Sequence, residues 1–296
     1  MRAKTRNGFR FFYPCSSVCI RGYIHLMPEG PTLHRLARDH TELFAGQKLA
    51  VTSPQGRFAD AAKLLDGKKL IKAEAWGKHL FYDFAGGRVM HVHLGLYGKY
   101  RKHDHTAKEG PPEPRGAVRV RLAGKTATLD LNSPNQCHVI DAAERDTILD
   151  RLGPDPLRPD ADPAKAWQRV HASRQAIGQL LMDQSVISGL GNIYRAEVLW
   201  KLRIHPRTPG SAITKKQFDT IWADSVRWMK LAVETGHIYT TDRYTPETAP
   251  KRPTKKQRFM IYKLPTCPTC GGEIETFTMA GRTVYACTAC QLVQSA

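Results

Sequence analysis

The sequence contains no apolar run approaching the ~18 residues that a membrane-spanning helix needs, so a bilayer-embedded helix is not expected. It is short of acid: 27 Asp and Glu stand against 45 Lys and Arg, for a formal charge of +18. Such an excess points to a polyanionic partner, nucleic acid first, although a merely basic soluble protein has the same charge. Residues 1–26 hold five basic residues and no acidic one. They also lack a clean apolar h-region and a small-residue cleavage site, which argues against a secretory signal. Their composition suits an organelle transit peptide, and suits equally a true start at Met27. No internal repeat is present. The cysteine count is seven, an odd number that suits a disulfide framework poorly.

What is present divides the chain. At 296 residues with 41% hydrophobic residues, there is enough material for two domains. Pro31 to Phe44 repeats apolar residues at Leu33, Leu36, Ala37 and Leu43, which predicts a short amphipathic helix. Strand-like runs follow: "KLAVTSPQ", "KLIKAEAWGKHLFYDF" and "GRVMHVHLGLYGKY", with Gly86-Gly87 as a hairpin turn. "AVRVRLAGKTATLDL" reads as another hairpin around Gly124-Lys125. Residues 28 to about 145 are therefore expected to form one helix plus a β-sandwich. The Pro/Asp-rich segment Leu152–Pro163 reads as an interdomain linker. Beyond it the period becomes helical, apart from a Gly-rich break at Ser188–Asn192, and a further helix ends at Gly236. "YTTDRYTPETAPKRPTKKQR" reads as a loop with a basic end. The boundaries expected are 1–27 as leader or mis-assigned start, 28–150, 151–250, and a terminal module at 256–296.

Cys267-Pro-Thr-Cys270 and Cys287-Thr-Ala-Cys290 are separated by sixteen residues. Each C-x2-C places two thiolates on one tight turn, and a hairpin between them completes a four-sulfur zinc site. The expected cofactor is one structural Zn2+, which a module of this size needs for stability. The same pairing implies a reducing compartment. Cys137 stands alone and reads as a small buried hydrophobe. Arg282, beside Gly281 at the hairpin tip, is suited by its planar fork to a phosphate, though a turn arginine is ordinarily just solvated. Gly189-x-Gly191-Asn192 precedes a helix expected to begin near Ile193. Asn192 is either its N-cap alone or part of a phosphate-binding helix end.

In "MPEGP", a chain beginning at Pro28 carries a free secondary amine, able to attack an aldehyde-level carbon and form an iminium. Glu29 beside it can move protons. The plain alternative is a helix start with a carboxylate at the positive end. Lys78 in "WGKHLFYDF" is placed on a strand edge, facing either solvent or a phosphate. Leu96 and Tyr97, between Gly95 and Gly98, form an apolar tip that can wedge into a base stack; otherwise they mark an ordinary turn.

Taken together and in order, "MPEGP", "GKHL", "HLGLYG", "LGPDPL", "DQSVISGLGNIYRAEVLW" and "GRTVYACTACQ" closely resemble the formamidopyrimidine-DNA glycosylase / endonuclease VIII family, from Met27 to Gln291. The resemblance implies an α+β multidomain fold: a β-sandwich with a leading helix, a helix–two-turns–helix domain, and a four-cysteine zinc finger. It implies a monomer acting on double-stranded DNA with oxidised bases or abasic sites, with no membrane involved, most simply in a bacterial cytoplasm. By it, Pro28 is the nucleophile at C1′ and Glu29 its acid/base partner. Lys78 and Arg282 take catalytic, phosphate-contacting roles, and Asn192 with Gly191 binds DNA. The implied reaction is excision of an oxidised base followed by β,δ-elimination. The branch that removes 8-oxoguanine usually has Met where Leu96 stands, and an Arg-Arg-Phe-Gly motif near Asn132–His138. That stretch here reads "NSPNQCHVI", without arginine, which favours the endonuclease VIII branch and oxidised pyrimidines. Leu96 and Tyr97 are then the candidates for the gap opposite the orphaned base. The alternatives are an oxidised-purine glycosylase, a catalytically silent DNA-binding relative if the leader is retained, and a zinc-ribbon adaptor for RNA or protein.

Overall fold

A computed structural model describes residues 28–295; the leader reading of residues 1–27 lies outside the described residues. The first element is the 15-residue helix α1 (Gly30–Phe44). Pro31 sits in its first turn, where a missing N–H costs nothing, and Leu33, Ala37, His40 and Phe44 make one buried stripe. The "KLAVTSPQ" strand shrinks to β1 (Ala50–Thr52). An unexpected helix α2 (Ala59–Leu65) follows, seven residues long. Phe58, Ala62 and Leu65 form its buried face, a pattern too short to stand out in sequence.

Seven strands then build the sandwich: β2 (Leu70–Trp76), β3 (His79–Phe84), β4 (Arg88–His93), β5 (Lys99–Asp104), β6 (Val118–Ala123), β7 (Ala127–Asn132) and β8 (Gln136–Ile140). With β1 they pair antiparallel in two four-stranded sheets, β1-β6-β7-β5 and β2-β3-β4-β8. Gly86-Gly87 and the Gly124-Lys125 region turn the expected hairpins. Alternation sends Leu80, Tyr82, Met90 and Val92 inward against Val120, Leu122, Leu129 and Leu131, and α1 packs on β2. Cys137 is buried in this core, as expected of a small hydrophobe. A third helix, α3 (Ala142–Leu149), closes this half with a capping box, Asp141 and Glu144 exchanging bonds with each other's backbone N–H.

The expected linker is not a loose tether. Gly153–Pro156 are buried, and the Asp155 carboxylate has no exposure at all. Past it come α4 (Pro163–His171), the single-turn α5 (Ile177–Leu180), two tight turns, and α6 (Asn192–Lys201). The helical stretch expected from 166 to 202 is thus broken more often than its apolar period suggests. Tertiary partners take the backbone groups: Ala176 bridges Pro209, Ile177 N–H donates to Thr208 O, and the Asp183 side chain accepts from Ser185 N–H. The long helix α7 (Lys215–Thr235) runs as expected, capped by Thr214 and Gln217 and ended by Gly236 at φ 75°. Residues 240–258 form the expected loop, but with a short helix α8 (Lys255–Arg258) at its end. Glu197 on α6 anchors both ends of this loop, accepting from Thr240 Oγ1 and from the N–H groups of Met260, Ile261 and Tyr262.

The terminal module is a hairpin of β9 (Glu275–Met279) and β10 (Arg282–Ala286). Its tip residues, Ala280 and Gly281, are left-handed at φ 48° and 70°. Cys267, Ile274 and Cys287 belong to the same buried cluster as Ile193, Val198 and Leu199, so module and helices share one core.

The outer face of β3 and β4 carries an imidazole stack. His91 lies between Phe81 and His79, at ring separations of 4.9 and 5.1 Å, and His79 Nδ1 sits 2.9 Å from His91 Nε2. Burial, with the neighbouring imidazoles His79, His93 and His138, pulls His91 down to about 3; burial and His93 pull His79 down to about 4. In the unfolded chain both titrate near 6.5, so below that pH the unfolded state binds protons that the native state refuses, and the stack costs stability as pH falls. His91→Phe keeps a ring in the stack and removes one such group. Between pH 7 and pH 5 it should lose about 1–2 kcal/mol less stability than wild type, by urea unfolding at each pH. Parallel pH dependences for the two proteins would refute this.

Candidate active site

The start of α1 runs into the gap between the sandwich and the helical half, where Gly30 N–H donates to Gly189 O at 2.9 Å. Glu29 occupies the N-cap position of α1 but does not cap it. Its side chain crosses the gap and accepts from Ile193 N–H at 3.1 Å, at the N-terminus of α6. The carboxylate is thus held by the positive end of a helix from the other half of the protein. The approach requires glycine at 191: a Cβ there would lie 2.4 Å from Glu29 Oε1. Gly191 is also the actual N-cap of α6, which corrects the expectation for Asn192. Asn192 is the first helical residue, and its amide donates to Thr283 O at 3.0 Å and accepts from Arg195.

Above Glu29 lies a cavity of about 230 Å³. It is lined by Pro28, Glu29, Lys78, Leu96, Gly191 and Arg282, six of the residues singled out in the sequence, drawn from the residues leading into α1, the β2–β3 turn, the β4–β5 turn, the N-cap of α6 and the hairpin. Lys78 is not on a strand edge but in the tight β2–β3 turn, behind Gly77 at φ 57°. Its side chain is largely enclosed rather than solvated. Leu96 is half exposed at the cavity rim, while Tyr97, 75% exposed, is not part of the lining. Asn192 lies behind the cavity wall and the four cysteines lie outside it. Four lining residues were not foreseen: His93, Leu94, Asn135 and Met182. His93 and Leu94 stand inside the quoted "HLGLYG" and Asn135 inside the quoted "NSPNQCHVI"; nothing in the sequence marks Met182.

The electrostatics set one group apart. Glu29 Oε2 is buried without a hydrogen-bond partner. Burial pushes the carboxyl up to about 7, against the pull of Lys78, the Ile193 N–H, Arg195 and Arg282. Burial pulls the Lys78 amine down; Glu29 opposes that and Arg282 adds to it. At neutral pH Glu29 is therefore poised to give or take a proton, and Lys78 is a cation held where charge is costly.

Arg282 reaches the cavity because the hairpin is tied to α6. The buried Arg195 donates to Thr283 O at 3.0 Å and to Gly178 O at 3.3 Å, and Asn192 donates to the same Thr283 carbonyl. At the base of the hairpin the four cysteine sulfurs lie within 4.8 Å of one another. Cys267 and Cys290 Sγ are 3.9 Å apart, Cys270 and Cys287 Sγ 3.5 Å. A tetrahedral zinc with Zn–S near 2.3 Å has edges of about 3.8 Å, so these four thiols fit one.

A domain model described as the formamidopyrimidine-DNA glycosylase N-terminal domain matches residues 27–139, and one for the formamidopyrimidine-DNA glycosylase H2TH domain matches residues 152–243. The protein named Endonuclease 8 1 from Mycobacterium tuberculosis is 47% identical over 271 residues, spanning 90% of this chain and 100% of that one. The formamidopyrimidine-DNA glycosylase of Thermomicrobium roseum is 27% identical over 288 residues, spanning 90% and 99%. Among solved structures, Lactococcus lactis Fpg in complex with DNA containing an abasic site superposes with a TM-score of 0.72 at 22% identity, covering 89% of this chain and 99% of that one.

The charge arrangement predicts a measurable coupling. The Glu29 carboxyl should titrate near 7 by infrared or NMR detection. Replacing the neighbouring cation, as in Lys78→Met, should move that titration further up, since Lys78 favours the ionised form. An unchanged Glu29 titration in Lys78→Met would show that the two groups do not interact.

Proposed function

Because the chain belongs to the formamidopyrimidine-DNA glycosylase / endonuclease VIII family, and is with it a DNA glycosylase of base excision repair, we propose that it excises oxidised pyrimidines from double-stranded DNA and cleaves the resulting abasic site. The observation that carries this reading is Glu29, a buried carboxyl pushed up to about 7, adjacent to Pro28 in a cavity shared with Lys78 and Arg282.

The chemistry runs as follows. The base is flipped out, since C1′ is inaccessible within the stack. The Pro28 nitrogen attacks C1′, the base leaves with a proton, and an iminium joins Pro28 to the opened sugar. Glu29, near half-protonation at neutral pH, supplies and recovers protons at the sugar. Loss of a C2′ proton expels the 3′-oxygen, and a second elimination expels the 5′-oxygen, leaving a phosphate on each side of the gap. Lys78 and Arg282 face flanking phosphates, and the cavity rim at Leu96, with Tyr97 beyond it, fills the vacated stack. Asn192 contributes through the hairpin it holds. Support for the DNA partner comes from the +18 charge and from the Lactococcus relative solved with abasic-site DNA. Support for the pyrimidine branch comes from 47% identity to a protein named Endonuclease 8 1 and from the arginine-free "NSPNQCHVI". Zinc in the four-thiol site would close the hairpin that presents Arg282, and performs no chemistry.

The amine exists only in a chain that begins at Pro28; joined to Met27, its nitrogen is an amide without a basic lone pair. With abasic duplex and borohydride, protein starting at Pro28 should give a covalent adduct mapping to Pro28, and protein retaining residues 1–27 should give none. No adduct from the Pro28 form would sink the lyase reading. Faster excision of 8-oxoguanine than of oxidised pyrimidines would favour the purine branch. Glu29→Gln should lose base excision and keep much of the nicking at preformed abasic sites; equal loss of both would make Glu29 mainly structural.

Metal analysis should find one zinc per chain, and Cys287→Ser should lower both zinc content and affinity for lesion DNA. Full binding by metal-free protein would show that the hairpin does not depend on the ion.

A further inference from the structure

The segment after α3 holds a buried charge that the chemistry above does not use. Asp155 is completely buried and receives three hydrogen bonds from three parts of the chain. Its Oδ2 accepts from His34 Nε2 on α1 at 2.7 Å and from Gly77 N–H at 2.7 Å; its Oδ1 accepts from Leu157 N–H at 2.9 Å. Gly77 is the residue before Lys78, and His34 lies one helical turn beyond Gly30.

The backbone around Asp155 is stitched to a third piece of the site. Ser188 N–H donates to Pro154 O and Gly153 N–H to Gln184 O, joining it to the turns that lead into Gly191. Trp76 Nε1 donates to Gly153 O, and Arg158 lies over the Trp76 ring while pairing with Glu74. The turn has little room to find another shape: a Cβ on Gly77 would meet Ser188 Cβ at 2.9 Å.

We infer that Asp155, together with His34, is a positioning pair for the reaction proposed above: one buried carboxylate fixes the turn that carries Lys78 and the first turns of the helix that follows Glu29. The inference rests on that reading of the site. A carboxylate suits the task because it accepts on both oxygens and several lone pairs at once. An amide of the same size turns one acceptor into a donor. Placed at Oδ2 the new amide donor faces both His34 and the Gly77 N–H, and placed at Oδ1 it faces the Leu157 N–H; either way a buried donor is left unmet and pushes its segment away. Lys78 and Glu29 would then shift relative to each other while the DNA-facing surface stays in place.

The test uses protein beginning at Pro28: wild type, Asp155→Asn, His34→Gln and His34→Leu. Single-turnover excision of an oxidised pyrimidine from duplex DNA is measured across pH, beside DNA affinity and thermal melting. Asp155→Asn should lose about 10²-fold in the single-turnover rate with DNA affinity little changed, the scale expected of a misplacement near 1 Å. The pH limb assigned to Glu29 should also move. His34→Gln keeps an N–H donor and should retain most of the rate, whereas His34→Leu should not. A wild-type rate and pH profile per folded molecule of Asp155→Asn, even with lowered melting, would overturn the inference, as would equal behaviour of the two His34 variants. If wild type itself fails to excise, the functional reading falls and this inference with it; if wild type excises and Asp155→Asn matches it, only this inference falls.

Discussion

One hydrogen bond organises the molecule: the Glu29 carboxylate on the Ile193 N–H, reaching from the first described residues of the chain into the N-terminus of α6. A helix end offers unpaired donors and a partial positive charge, so it welcomes a carboxylate. Burying that carboxylate in the same place penalises its ionised form by more than the helix end and the nearby cations favour it, and the group is pushed up to about 7. The contact also brings together two halves with separate hydrophobic cores. Gly191 makes it possible, and the ends of α1 and α6 then determine where the cavity lies. The cavity is a product of the junction and belongs to neither half alone.

Much of this was legible in the chain. Period-two alternation and glycine turns marked the sandwich hairpins, and the Thr214–Gly236 stretch carried both helix signals, a capping residue at one end and a left-handed glycine at the other. The paired cysteines announced their cluster through spacing alone, because two thiolates on one turn need no wider context. What sequence reasoning missed was decided by contacts between distant segments. Asn192 reads as an N-cap by residue type, yet it lies one position inside the helix because the N-cap position must be glycine to admit Glu29. Lys78 reads as a strand-edge lysine facing solvent or a phosphate, and its place in an enclosed turn beside Glu29 and Arg282 comes from segments far away in sequence. Leu152–Pro163 has the composition of a tether, and only the partners of Asp155 reveal it as a packed strap. Asp141 and Glu144 have the residue types and spacing of a capping box, a local signal for α3 at the end of the sandwich. Met182 reaches the cavity wall with no local mark at all.

The hairpin that bears Arg282 has a further consequence. Successive residues of a strand point to opposite faces, so a slip of one position would withdraw the guanidinium and offer Thr283 or Gly281 in its place. Register is settled at two places. At one end Ala280 and Gly281 form a left-handed two-residue turn, the geometry that closes a tight hairpin without splaying its strands. At the other, the cysteine pairs pin both strands to one point. The module therefore works as an indexing device. Its strands bury only Val284 and Ala286, and what they preserve is the count of residues between a fixed base and a single side chain at the tip.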